Sequence, residues 1–229
     1  MQRRTSLTSQ AMAVPRTPKA RAKVVVARLA REYPGTAEQL CALRHVDPFQ
    51  LLVATILSAQ TTDVRVNMVT PALFSAYPDA ASLARADPER LEELIRSTGF
   101  FRAKAKSLLG MSQALVDRFG GKVPSSMEDL VTLAGVGRKT ANVVRSVAFG
   151  EPGLAVDTHV GRLSRRLGLT TSSDPEVVER DVDALVPPGE WGALSLRLIL
   201  HGRAVCVARN PRCGTCVLSD VCPSARLPS

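Results

Sequence analysis

Apolar residues recur at helical spacing along almost the whole chain. They mark amphipathic helices at residues 20–33 and 102–119. The segment DPFQLLVATILSAQ (47–60) is apolar on nearly every face, which predicts a central helix enclosed by others. No stretch alternates apolar and polar residues for long enough to build a sheet. The pattern therefore predicts an all-α protein.

Start signals divide this pattern into separate helices. Asp47 and Pro48 open the buried helix, with Gln50 placed to close a capping box. Ser125 and Glu128 predict a second capping box ahead of a short helix. Later helices are expected at 138–149, 158–167, 175–186 and 190–203.

The segment LAGVGRKTAN (133–142) joins two short predicted helices through Gly135, Val136 and Gly137. The glycines permit positive φ values and close approach to the backbone, while Val136 is expected to pack inward. Free N–H groups at the start of the second helix suit a phosphate. An ordinary packing turn could use the same residues, but the following RKTAN and the basic chain favour a phosphate-binding hairpin.

The charge balance favours an anionic partner. The chain has 30 Lys and Arg against 21 Asp and Glu, a net charge of +9, which indicates nucleic acid before a membrane surface. Residues 1–18 are basic and lack apolar periodicity, which predicts a disordered arm; an organellar transit peptide is the alternative. No apolar run approaches the ~18 residues of a membrane span, and we expect a soluble, cytoplasmic protein associated with the nucleoid.

Lys139 stands where a helix is predicted to begin, at the positive end of the helix dipole. The helix N-terminus and the neighbouring Arg138 are expected to disfavour its ammonium form. A lysine in such a place suits an amine nucleophile. A solvated lysine or a phosphate contact is the alternative.

LAGVGRKTAN resembles the helix-hairpin-helix of the endonuclease III family of DNA base-excision glycosylases. In that family the lysine matching Lys139 is the nucleophile. VDTH, from Val156 to His159, resembles a family segment whose aspartate is catalytic, which assigns that role to Asp157 in addition to the N-cap that its position predicts. The family usually has proline before the first glycine of the hairpin. Here Ala134 stands there, which reduces the rigidity of the turn without touching a reacting atom.

Four of the five cysteines crowd into CVARNPRCGTCVLSDVC (206–222), while Cys41 stands alone and is expected to be a core thiol. In a reducing compartment this clustering indicates a metal, with zinc as the generic candidate. An iron–sulfur cluster takes the same ligands. The spacing resembles the iron–sulfur loop of the endonuclease III family, and that resemblance implies a structural [4Fe-4S] cluster. Its ligands would be Cys206, Cys213, Cys216 and Cys222.

An enzyme that acts on C1′ in duplex DNA must extrude the nucleotide and fill the gap. LSAQTTD (57–63) resembles the family's minor-groove wedge, with Gln60 as the residue that fills the gap; helix-end polarity is the alternative. STGFFRAKAK (97–106) predicts a second insertion by Phe100, for which a core phenylalanine is the alternative. Arg102 and Lys104 are expected on phosphates. All predicted DNA contacts are Gln60, Thr61, Phe100, Arg102, Lys104, Gly135, Val136, Gly137, Arg138, Thr140 and His159.

The resemblance covers about residues 20–225 and implies two domains. A six-helix barrel would span 41–150, and an iron–sulfur cluster domain would span 151–229, with a helix at 19–40 packed on it and DNA across the cleft between them. The implied activity is that of a monomeric bifunctional glycosylase that removes oxidised pyrimidines and cuts 3′ of the abasic site by β-elimination through a Schiff base on Lys139. An adenine mismatch glycosylase, whose family lacks this lysine, and a non-catalytic DNA-binding iron–sulfur protein are the alternatives.

Overall fold

The structure, a computed structural model, describes residues 17–226, in which helices are the regular secondary structure and no strand occurs. The prediction of an all-α protein is confirmed. The predicted arm at 1–18 lies outside the described residues except for Thr17, which caps the first helix, and Pro18, which begins it. The described residues form α1 Pro18–Glu32, α2 Ala37–Leu40, α3 Pro48–Leu57, α4 Asp63–Ala76, α5 Ala80–Ala84, α6 Pro88–Ile95, α7 Phe101–Phe119, α8 Met127–Leu130, α9 Arg138–Ala148, α10 Thr158–Arg166, α11 Pro175–Asp183 and α12 Trp191–Ala204.

Short 3-10 helices complete this set. They lie at Arg96–Thr98, Pro188–Glu190 and Cys213–Thr215. Within residues 17–226 no helix has both the length and the apolar character that crossing a bilayer requires.

Two separate sets of buried side chains form the interior. The first lies within residues 43–147 and surrounds α3, in which every residue from 51 to 57 is buried, as predicted for an enclosed central helix. The second joins α1 to α10, α11, α12 and the C-terminal segment, where Leu218 and Val221 are buried. The first core therefore interrupts the second along the sequence, because α1 packs with elements that follow residue 150.

Asp47 caps α3 as predicted. Its Oδ1 accepts a hydrogen bond from the Gln50 backbone N–H at 2.8 Å. The Gln50 side chain accepts from the Val46 N–H at 3.3 Å, so it supports the residue before the cap and does not close the expected capping box.

The second predicted capping box is wrong, because the N-cap of α8 is Ser126 and not Ser125. Ser126, which has an extended backbone, caps α8 by accepting from the Asp129 N–H at 3.0 Å. Ser125 lies one residue too early for this contact, and its carbonyl accepts from Arg145 on α9 at 3.1 Å. Glu128 is therefore displaced from the position that closes such a box.

Candidate active site

A glycine-dependent turn joins α8 to α9. Gly135 has a φ of +78°, and a Cβ atom there would lie 2.7 Å from the Cβ of Ser107 on α7. Val136 is buried in the first core, as predicted, and its N–H donates to the Leu133 carbonyl at 3.1 Å. Both features fix the turn against α7, and they leave neither the side chain nor the amide of Val136 for an external ligand.

The start of α9 presents unused donors. Gly137 is the N-cap of α9, and no atom lies within 4 Å of the place where its Cβ would be. A glycine has no side chain to accept from the first-turn amides, and those of residues 138–140 have no acceptor four residues before them in the helix. The predicted phosphate contact is thus available at an open, unobstructed helix end.

We expect Gly137→Leu to weaken binding to intact and abasic duplex DNA by about tenfold or more, because the new side chain would cover amides that bind a charged group. Thermal stability should hardly change, since the Cβ position is open. Affinity titrations at several salt concentrations and a melting curve would measure both effects.

The matched control for this prediction is Gly135→Ala. It should lower the free energy of unfolding by about 1–3 kcal/mol, because alanine resists the positive φ and its Cβ meets Ser107. Unchanged DNA affinity in the Gly137→Leu protein would show that the hairpin is only a packing turn.

Lys139 and Asp157 line the same cleft, which has a volume of about 280 Å³. Lys139 is exposed in the first turn of α9. Asp157 is the N-cap of α10, and its Oδ1 accepts from the backbone N–H groups of His159 and Val160, both at 2.8 Å. The carboxylate is therefore held rigidly by two amides, while the lysine is free to move towards a ligand.

Gln60 and Thr140 also line this cleft. Thr61, beside it in sequence, is half-buried, and its N–H donates to the Ser58 carbonyl at 3.2 Å. His159 is half-buried, with its Nδ1 3.1 Å from Arg162. The structure thus brings one predicted wedge residue together with both predicted catalytic residues.

An ion pair that the sequence analysis missed crosses the cleft. Arg203 on α12 donates to the Asp63 carboxylate at the start of α4 at 2.9 Å, and both residues line the cavity. Asp63 belongs to the LSAQTTD segment, but no local pattern pairs it with a residue so distant in sequence. The pair links α12 to α4 across the cleft that the predicted catalytic residues also line.

Arg138, a predicted DNA contact, is occupied within the protein. Its guanidinium donates to both carboxylate oxygens of Glu179 on α11, at 2.9 and 2.8 Å, and Glu179 is only 6% exposed. This pairing raises the pKa of Arg138 above its usual value. Glu179 also offsets the positive charge that Arg138 was expected to place beside Lys139.

Asp183 lies near the same ion pair and carries a strongly shifted carboxyl. Burial, and then the charge of Glu179, raise its pKa from 3.8 to about 7, although Arg138 acts in the opposite direction. Within the described residues its buried Oδ1 has no hydrogen-bond partner. The unfolded chain therefore releases this proton at lower pH than the folded protein does, so Asp183 costs stability increasingly from about pH 4 to 7.

We expect Asp183→Asn to be more stable than the parent protein by about 1–3 kcal/mol at pH 8, after allowance for the partial exposure of this group. The amide cannot ionise, so the gain should be much smaller at pH 5. Thermal unfolding of both proteins at the two pH values measures the difference. An equal gain at pH 5 and pH 8 would contradict the assigned titration.

The two predicted insertion residues share an unusual backbone. Gln60 and Phe100 have φ values of 54° and 47°, in the left-handed region that costs a non-glycine residue on the order of 1 kcal/mol. Phe100 is 66% exposed, so the alternative of a core phenylalanine is wrong. Arg102 is also exposed, with its guanidinium 3.8 Å from Glu92.

The prediction that Lys104 contacts phosphate is wrong. Lys104 is only 5% exposed, and its Nζ donates to the carbonyls of Leu57 and Thr98, both at 2.8 Å. Burial lowers the pKa of this amine. The group points into the protein because α7 turns this position towards the end of α3, and DNA cannot reach it there.

The four clustered cysteines line one pocket between α10, α12 and the C-terminal segment. His201 Nε2 and the Leu218 N–H lie 3.3 and 3.4 Å from the Cys216 sulfur. Arg166 donates to the Cys206 sulfur at 3.3 Å. Each thiol is half-buried, and in the described part of the chain no three His, Cys, Asp or Glu side chains converge on a site for a single ion.

Burial raises the pKa of Cys216 and of Cys222, and the charges of the neighbouring cysteines raise both further. Four thiolates that line one pocket repel one another unless a positively charged group lies between them, so this donor set fits an iron–sulfur cluster. Cys41 lies apart from this pocket. It packs against the first core and lines the cleft.

Comparisons with known proteins agree with this geometry. Residues 53–188 match the family described as HhH-GPD superfamily base excision DNA repair protein. Residues 206–222 match the iron–sulfur binding domain of endonuclease III. The fold and the site therefore define a base-excision DNA repair enzyme of the helix-hairpin-helix class.

The chain belongs to the endonuclease III family. It is 56% identical over 209 residues to endonuclease III of Synechocystis sp., a match that covers 91% of this chain and 94% of that relative. It is 46% identical over 183 residues to endonuclease III of Bacillus subtilis, covering 80% and 84% of the two chains. The protein is accordingly an enzyme of the DNA glycosylase and abasic-site lyase class, and its cofactor is a [4Fe-4S] cluster.

Solved structures show the same fold. A non-covalent endonuclease III–DNA complex and a trapped endonuclease III–DNA covalent intermediate each match with a TM-score of 0.83 and 40% identity, covering 90% of this chain and 96% of theirs. A thermostable thymine-DNA glycosylase matches with a TM-score of 0.79 at 21% identity, which concerns the fold alone. This chain is a DNA-binding protein with the helix-hairpin-helix glycosylase fold.

Proposed function

We propose that this chain is a bifunctional enzyme that removes oxidised pyrimidines from double-stranded DNA and cuts 3′ of the resulting abasic site, acting as a monomer on the DNA of the cytoplasm. The observation that carries this proposal is the placement of Lys139, Asp157 and Gln60 on one cleft beside the open start of α9. A relative that is 40% identical has been solved as a trapped covalent intermediate with DNA, which supports a covalent route.

In this mechanism the neutral amine of Lys139 attacks C1′ of the extruded nucleotide. The bond from C1′ to the base breaks, and its electron pair leaves with the base. The bond from C1′ to O4′ then breaks as the sugar ring opens, and one proton passes from the nitrogen to O4′, which gives a protonated imine between Lys139 and C1′. Removal of a proton from C2′ then expels the 3′ phosphate, so the strand is cut by β-elimination.

Asp157 is assigned an electrostatic role in base release. Its carboxylate is fixed by two backbone amides and lines the cleft with Lys139, so it can stabilise positive charge that develops at C1′ without first reorienting. The amides at the start of α9 hold a neighbouring phosphate and set the distance between the sugar and the amine.

We assign the ligands of the iron–sulfur cluster to Cys206, Cys213, Cys216 and Cys222, where the cluster supplies a rigid cross-link of the C-terminal segment. The chain itself ties this segment to the site. Arg162 on α10 donates to the carbonyl of Cys206 at 3.0 Å, and Asp157 caps the same helix. The position of the catalytic carboxylate thus depends on the fold of the cysteine loop.

Asp157→Asn tests the electrostatic role assigned to Asp157 in base release. The amide oxygen can still cap α10, but it carries no charge. Release of thymine glycol from duplex DNA should slow by about 100- to 1,000-fold. Cleavage of a preformed abasic site should slow far less, because the sugar aldehyde has no base to lose. Single-turnover assays on the two substrates measure both rates.

The matched control is Asp174→Asn. Asp174 caps α11 by the same two-amide pattern but does not line the cleft, and this exchange should leave both rates unchanged. The same assays, run on a panel of damaged pyrimidines, identify the preferred lesion. Release of undamaged adenine from a mismatch, with no activity on any oxidised pyrimidine, would contradict the proposed function.

A further inference from the structure

The buried amine of Lys104 takes no part in the chemistry proposed above. It lies inside the first core region, where its Nζ donates to two backbone carbonyls at 2.8 Å each. One belongs to Leu57, the last residue of α3, and the other to Thr98, the last residue of the 3-10 helix Arg96–Thr98. A single side chain therefore joins the ends of two helical segments that are far apart in sequence.

Each of these segments leads directly into a predicted insertion residue. Gln60 follows Leu57 by three positions, and Phe100 follows Thr98 by two. The carbonyls at a helix end lack partners within the helix and carry the negative end of its dipole, so an ammonium group is well placed to bind them.

Gln60 and Phe100 are also two of the three non-glycine residues with positive φ in the described part of the chain. Such a backbone persists only where the surrounding structure holds it. The Thr98 side chain helps on one side, since its buried hydroxyl donates to the Ile95 carbonyl at 2.8 Å. Lys104 is the residue that contacts both segments, the one before Gln60 and the one before Phe100.

We propose that Lys104 is a positioning residue, whose ammonium group sets the spacing between the segments that carry Gln60 and Phe100 so that both enter the duplex at one lesion. This inference rests on the proposed function, in which these two residues fill the gap left by the extruded nucleotide. It assigns a role in DNA distortion to a lysine that DNA does not touch.

The test compares Lys104→Met with Lys106→Met. Methionine fills a similar volume but donates no hydrogen bond, and Lys106 lies two residues away on the exposed side of α7, so both exchanges remove one charge. Insertion is read from the fluorescence of 2-aminopurine placed beside a tetrahydrofuran abasic analogue, which needs no chemistry. Two further assays are run on each variant. They measure the rate of thymine glycol release from duplex DNA and the rate of abasic-site cleavage in single-stranded DNA.

We expect Lys104→Met to lose most of the fluorescence change and to slow base release from duplex DNA by about 10- to 100-fold, because a wedge misplaced by about 1 Å lowers the rate by that order. Cleavage in single strands, where no gap is filled, should be unchanged. Lys104→Gln keeps two N–H donors and should recover part of the signal. Lys106→Met should match the parent protein in all three assays.

Equal losses on duplex and single-stranded DNA would overturn the proposal, and so would a normal fluorescence change in Lys104→Met. Failure of both Lys104 variants to fold would make this lysine a residue of the core alone and would also overturn it. An insertion signal in a parent protein that releases no base would instead contradict the proposed function, so the two failures are distinguishable.

Discussion

Exchange of Lys139 for glutamine is expected to abolish strand cleavage and to prevent the trapping of protein on DNA by borohydride. A glutamine amide is not nucleophilic, so no imine forms for borohydride to reduce, and the rate should fall by at least about 1,000-fold. Lys139 is exposed in the first turn of α9, so its removal disturbs no packing. DNA binding and thermal stability should therefore persist.

Gel assays on duplex DNA with thymine glycol or an abasic site measure trapping and cleavage together. Lys122→Gln removes one charge from an exposed lysine outside the cleft and should behave as the parent protein. Continued trapping by the Lys139→Gln protein would assign the nucleophile to another amine and would contradict the proposed mechanism.

Exchange of Cys216 for serine should remove the iron–sulfur cluster and unfold the second core. Cys216 lies two residues before the buried Leu218, and Arg28 on α1 donates to the carbonyl of Val217 at 2.9 Å. Metal binding and folding are coupled at such sites. The decrease in the free energy of unfolding of the second core should therefore be comparable with the roughly 5–15 kcal/mol by which a whole domain is stable.

Metal analysis of the parent protein should find about four irons per chain and little zinc, as a [4Fe-4S] cluster with cysteine ligands requires. The Cys216→Ser protein should lose this iron, its brown colour and the cooperative unfolding of the second core. Cys41→Ser, which changes the cysteine outside the pocket, should keep all three. A parent protein with one zinc and no iron would contradict the cluster.

Local signals made much of the fold predictable. Asp47 with Pro48 marks the start of α3, and the predicted helix at 102–119 ends where α7 ends, at Phe119. The 14-residue α4 was missed, because Pro71 lies inside it and the exposed Val64 and Met68 obscure its apolar face. A helix whose apolar residues lie on several faces gives no clear period, and only its neighbours show which face is buried.

In the site, too, residues that lie in short motifs were predictable, whereas contacts between residues distant in sequence were not. Lys139, Asp157 and Gln60 each lie in a short motif, so sequence alone could propose them. The Asp63–Arg203 pair joins residues that no motif relates. Lys104 was misplaced because lysines are almost never fully buried, and the sequence pattern does not show that the end of α3 offers its amine a carbonyl.

The interleaving of the two cores has a consequence for synthesis of the chain on the ribosome. α1 emerges first, but its buried face packs on elements that follow residue 150. At about 5–20 residues per second, α1 waits on the order of ten seconds for these partners. The residues of the first core emerge within that interval and can pack without α1. Final closure of the second core then brings α1 to the segment that carries the four clustered cysteines, so cluster insertion must follow the synthesis of Cys222.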